Sequence, residues 1–137
     1  TMTFNPEESV DFQGDTGVFI QFTHARISAL LRTAKKMGID YHNYENEELS
    51  THEVNVIELL LSYDAKVKEA AEKYAPSIVA NYVYDLAKSF SRMYAELPIF
   101  KNVSDNEQKV RLAIAGQAAK IIKNSLGLLG IEAPEKM

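Results

Sequence analysis

From Phe19 onward the apolar residues recur every three to four positions, and no segment after residue 20 alternates with period two. A helix buries one stripe of its surface at that spacing, whereas a half-buried strand needs strict alternation. The chain is therefore expected to be all-α, with strands confined, if present, to "MTF" or "SVDF" near the start. Phe19, Ile20, Ile27, Leu30, Leu31, Ala34 and Met37 mark a first amphipathic helix. Its end is signalled by Lys35 and Lys36 at the negative end of the dipole, Gly38 at a left-handed position and Ile39 as an apolar contact. Residues 38–50 carry four acidic side chains without periodicity and read as a solvated loop.

Two Ser-x-x-Glu pairs, Ser50 with Glu53 and Ser104 with Glu107, stand just ahead of apolar periodic runs. In such a capping box the serine accepts from the third backbone N–H of the helix while the glutamate reaches back to the serine N–H. A break near Ser62 and Tyr63, with Asp64 as N-cap, divides the second helix from a third. Pro76, tolerated only in a first turn, divides the third from a fourth, whose face is Val79, Tyr82, Val83, Leu86, Phe90, Met93 and Leu97. A long last helix carries Val110, Ile114, Ala118, Ile121, Ile122, Ser125 and Leu129 on one side and stops at Gly130. The expected fold is a bundle of about five helices.

At 137 residues and 46% hydrophobic content the chain has the size and apolar mass for one domain. It has no cysteine, which excludes disulfides, thiolate nucleophiles and zinc–sulfur sites. No apolar run approaches the roughly 18 residues that span a bilayer, and the acidic start lacks the basic and apolar regions of a secretory signal, so a soluble, unsecreted protein is expected. Among three histidines none forms an i, i+4 pair with another; His24 is expected to cap or pack on the first helix and His42 lies in the loop. No Gly-x-Ser-x-Gly elbow is present, so a hydrolytic triad has no support.

The net charge of −4 argues against a nucleic-acid partner but conceals an asymmetry. Residues 1–85 hold seven Lys/Arg against fourteen Asp/Glu, a balance of −7, and residues 86–137 hold eight against five, a balance of +3. A polyanion is expected to meet the C-terminal third. There Lys109, Arg111, Lys120 and Lys123 scatter over more than one face of the last helix. Tyr94, with Arg92 and Lys88 nearby, has the surroundings on which an unpaired base stacks, although core packing is the competing reading and has the edge on sequence alone. Gly14 and Gly17 in "DFQGDTGVF" have the spacing of a phosphate loop, but Asp11 and Asp15 sit among them and no basic residue precedes Arg26. The better reading is a tight turn with positive φ at both glycines and a cap supplied by Asp15-Thr16.

"DFQGDTGVFIQFTHARI" resembles the Phe-x-Gly-Asp-Thr-Gly-Pro-Phe/Tyr-x-Gln-Tyr-x-His-x-Arg segment of arginyl-tRNA synthetases, where the catalytic core meets the C-terminal anticodon-binding domain. "VANYVYDLAKSFSRMYAELPI" is similar to that family's middle helix, and "VRLAIAGQAAKIIKNSLGLLGIEAPEKM" to its last helix and tail. Three motifs in order cover nearly the whole chain.

The resemblance implies a class Ia anticodon-binding helical bundle, with residues 1–18 as a junction and residues 19–137 as the domain. It implies arginine tRNA, gripped at the anticodon stem and loop, as partner, together with the catalytic domain of the same chain. The full enzyme would join arginine to tRNA with ATP and Mg²⁺, in the cytoplasm and as a monomer. This piece lacks the His-x-Gly-His motif and is expected to have no cofactor and no ligase activity alone. By position, Tyr94 and Met137 correspond to residues that lie at the anticodon, and Phe22 stands where the family usually has an anticodon-contacting tyrosine. Arg26, Arg111 and Asn124 complete the expected tRNA-binding set. Val18 replaces the usual proline, which should loosen the turn, and Ser125 replaces a common glycine. A helical protein-interaction module is the alternative function; a stand-alone enzyme has no supporting constellation of residues.

Overall fold

A computed structural model describes residues 15–46 and 48–137 of the chain. Five helices account for most of the described residues: α1 (Gly17–Lys36), α2 (Thr51–Leu61), α3 (Tyr63–Lys73), α4 (Pro76–Glu96) and α5 (Asp105–Leu128). No strand occurs among the described residues; "MTF", "SVDF", Asp11 and Gly14 lie outside them. Helix α4 is the centre of the bundle, packing against all four others, while α5 also covers α1 and α2.

The core follows the periodicity closely. Ile20, Ile27, Leu30 and Ala34 of α1 meet Val83, Leu86, Phe90 and Met93 of α4 and Leu112, Ala115, Ala118, Ile122 and Leu126 of α5 in one buried cluster. Phe90 is wholly buried, and truncation of such a residue to alanine costs about 3–5 kcal/mol. The buried face of α5 is wider than one stripe, because Leu112, Ala115 and Ala119 are covered as well as Val110, Ile114, Ala118 and Ile122.

Both capping boxes form. Ser50 Oγ accepts from Glu53 N and Glu53 Oε1 accepts from Ser50 N at 2.9 Å, and Ser104 and Glu107 repeat the arrangement on α5. Helices α1 and α5 end in the same way. Gly38 (φ +72°) and Gly130 (φ +73°) are left-handed, and the following N–H groups of Ile39 and Ile131 reach back to the Ala34 and Leu126 carbonyls at 3.0 and 2.8 Å. The acidic loop is not wholly free: Asn106 pins it to the start of α5 by accepting from Glu45 N at 2.7 Å and donating to Glu45 O at 3.1 Å.

Two local expectations are corrected. Gly17 has no positive φ; it is the first residue of α1, and Thr16 is itself right-handed (φ −66°, ψ −46°) with no capping bond. Asp15 and Thr16 already lead helically into α1, and Gly14 lies outside the described residues. Val18 sits in the helical first turn, a place where proline also fits. Asp64 is not an N-cap, because a single residue, Ser62, joins α2 to α3 and leaves Asp64 inside the first turn of α3.

That short joint is clamped. The Leu59 carbonyl accepts from Ser62 Oγ at 2.9 Å and from the Tyr82 hydroxyl at 2.6 Å. Tyr82 is buried, as its place on the apolar face requires, and its pKa is pushed up to about 12 by burial, with the neighbouring Tyr63 and Asp64 adding to the effect.

Candidate nucleic-acid interface

Phe22 and Arg26 are one helical turn apart on α1, and both point outward because Thr23, His24, Ala25 and Ile27 between and after them take the buried side. Tyr94 emerges from the last turn of α4 beside them. The Arg26 guanidinium lies over both rings, with Cζ 5.3 Å from the Phe22 centroid and 5.5 Å from that of Tyr94, within the range of cation–π attraction. Tyr94 is 37% exposed and Phe22 47% exposed, and the Tyr94 ring lies parallel to buried Phe90 at 6.4 Å. The core thus orients the Tyr94 ring while leaving the residue partly exposed, so core packing does not use up Tyr94.

A second aromatic–cation contact stands nearby. Lys88 Nζ is 4.8 Å from the Tyr84 ring, and Tyr84 packs edge-on to Phe19 at 5.9 Å. Both pairs, Phe22 with Arg26 and Tyr84 with Lys88, have i, i+4 spacing, so each pairing is written in the sequence. Lys88 and Arg92 also line an open groove of about 530 Å³ between α2 and α4, facing Glu58 and Asp85.

The other expected residues separate. Asn124 is exposed near the end of α5, and Glu132, four residues after the last residue of that helix, is bound by Gln21. Met137 is 63% exposed, but residues 131–137 run along a different stripe of α1, their last anchor being Arg32 to Glu135 O. At the 1.5 Å rise of a helix, Arg32 is about 15 Å along the axis from Phe22.

Arg111 is a correction. It is 6% exposed and its guanidinium is committed: Nε to Glu53 Oε2 at 3.3 Å, Nη1 to Pro98 O at 2.7 Å and Nη2 to Glu107 Oε2 at 3.3 Å. Each capping-box glutamate gives one oxygen to its own serine N–H and the other to Arg111, so this side chain ties the starts of α2 and α5 together rather than meeting a phosphate. Hydrogen bonding to Ser104, with a smaller contribution from the Arg111 charge, lowers the pKa of Glu107.

His24 is buried against the bundle, as expected of a packed histidine, and its Nδ1 contacts Pro134 O at 2.8 Å. Among the described residues no three His, Asp or Glu side chains converge to hold a metal, and no helix is long and apolar enough to cross a membrane. Nor do the residues fit ATP at the start of α1: Gly17 is helical, Asp15 precedes it and no basic side chain comes before Arg26.

Residues 20–137 match the family described as the DALR anticodon binding domain. The chain belongs to that family. The arginine–tRNA ligases of Phocaeicola vulgatus and Bacteroides thetaiotaomicron are each 44% identical to this anticodon-binding-family chain over 99% of its length. Among solved structures, Thermus thermophilus arginyl-tRNA synthetase superposes with a TM-score of 0.76 at 29% identity over 98% of the chain. A putative arginyl-tRNA synthetase from Campylobacter jejuni gives 0.81 at 26% identity over 93%. The chain spans only 23% of the length of either bacterial ligase and of the Thermus enzyme, and 29% of the Campylobacter one.

Proposed function

We propose that this chain is the anticodon-binding part of an arginine–tRNA ligase, and that it grips the anticodon stem and loop of arginine tRNA. The exposed Phe22–Arg26–Tyr94 sandwich carries the proposal. A splayed base needs a flat π surface, worth about 1–3 kcal/mol per base, and its phosphate needs a cation within reach. Tyr94 and Phe22 supply the first and Arg26 the second. Phe22 stacks but lacks the hydroxyl that a tyrosine would offer, so it reads no polar base edge. Asn124 and Met137 extend the contact set, and Arg111 has no part in it.

In this reading residues 1–18 join the domain, residues 19–137, to a catalytic domain of the same chain. ATP and Mg²⁺ would act there, and the present residues would bind RNA as a monomer without catalysing ligation, in the cytoplasm. The test is a titration with an arginine anticodon stem-loop at two salt concentrations, repeated with altered anticodons. Binding that weakens with salt and falls when the anticodon is changed is expected. Equal binding of every anticodon sinks the specificity claim, and no binding at low salt favours the alternative, a helical protein-interaction module.

A further inference from the structure

Beyond Gly130 the chain folds back onto α1, and three backbone carbonyls of the returning segment are bound by three side chains of that helix. Gln21 Nε2 donates to Glu132 O at 3.0 Å, His24 Nδ1 to Pro134 O at 2.8 Å and Arg32 Nη1 to Glu135 O at 3.1 Å. Positions 21, 24 and 32 share one stripe of α1, about a third of a turn round from Phe22 and Arg26. These three bonds recognise backbone, and the side chains of Ile131 and Ala133 pack against the core, while those of Glu132, Glu135, Lys136 and Met137 remain exposed.

The three anchors are unequal. Gln21 and Arg32 make exposed bonds that water can replace, whereas His24 is only 4% exposed. A buried donor that loses its partner forfeits its desolvation with nothing in return, so His24 is the anchor whose loss is felt. A carbonyl can only accept, which puts the ring proton on Nδ1. Pro134 adds rigidity at the same point, since its fixed φ removes freedom from the released strap.

We infer that His24 is a positioning residue: it fixes residues 131–137 along α1 and so sets where Met137 stands, without itself touching RNA. The consequence for RNA rests on the proposed function; the ordering of the strap does not. Helix α1 thereby carries two functional stripes, one stacking and one that presents the strap.

Nitrogen-15 relaxation of the strap tests the inference without RNA. His24→Leu keeps the bulk but no donor; the order parameters of Glu135 and Lys136, beyond the core-packed Ala133, are expected to fall from the rigid range near 0.85 to below about 0.6, with those of α4 unchanged. His24→Asn, with an amide where Nδ1 stood, should restore them. A strap as ordered in His24→Leu as in the unchanged chain, or no rescue by asparagine, overturns the assignment. Should His24→Leu not fold, the ring nitrogens of the unchanged protein decide: an imidazole protonated only at Nε2 overturns it. In the RNA titration the loss caused by His24→Leu should vanish once residues 132–137 are removed, and a loss that persists overturns action through the strap.

Discussion

Arg111 Nε lies 3.3 Å from Glu53 Oε2, and both side chains are almost fully buried, at 8% and 3% exposure. The same carboxylate closes the capping box of α2, so one group satisfies a helix start and a buried cation. Glu53→Ala should therefore destabilise the fold by about 3–5 kcal/mol, because it breaks a buried ion pair, leaves the guanidinium with Glu107 alone as carboxylate partner and opens the capping box of α2. Urea unfolding at neutral pH measures this, and a loss below about 1 kcal/mol would show that water reaches Arg111.

Tyr82 gives a pH dependence with a definite sign. Its folded pKa is raised from 10.0 to about 12, so the folded state keeps a proton that the unfolded chain releases. The stability it contributes is full below pH 10.0 and is lost as the pH rises toward about 12. Tyr82→Phe, which removes the hydrogen bond to Leu59 O, should cost about 0.5–1.5 kcal/mol near neutral pH. It should also flatten the alkaline fall in stability; an equally steep fall in the variant would mean that another group titrates.

Tyr74 is left-handed (φ 50°, ψ 44°) at the end of α3 and is 77% exposed, so its side chain gains little from burial. Glycine takes that conformation without the Cβ clash. Tyr74→Gly should raise stability by about 0.5–1 kcal/mol after the greater freedom of unfolded glycine is counted. A lower thermal midpoint in the variant would show that the ring makes a contact worth more than the strain.

For the RNA site, Tyr94→Ala should weaken anticodon stem-loop binding by about 1–3 kcal/mol with little change in its salt dependence, since a stacking surface is lost and no charge. Arg26→Gln should instead lower the slope of log K against log salt by about one. If both variants change the slope equally, the division of labour within the sandwich is wrong.

The helices were legible because their determinants are local. A box such as Ser104 with Glu107 is complete within four residues, a stop such as Gly130 with Ile131 within six, and the apolar spacing of α4 names Val83, Leu86, Phe90 and Met93 as core before any partner is known. The start of α1 was misread because a glycine permits a turn without requiring one. Glu107, four residues before Arg111, is a local pairing signal, but the burial of Arg111 depends also on Glu53, which stands 58 residues away. Nothing marks the strap either: Gln21, His24 and Arg32 bind carbonyls, which every residue possesses, more than a hundred positions along.

The sequence by itself determined five amphipathic helices, the two capping boxes, the glycine stops of α1 and α5 and the family pattern, because periodicity and capping act over one or two turns. Only the tertiary structure decided which cations stay free. Packing α4 against α1 left Arg26 between two exposed rings, and packing α5 against α2 enclosed Arg111 between two glutamates. An arginine has the same side chain in either place, and what it can bind depends on the charges and solvent that the fold leaves around it.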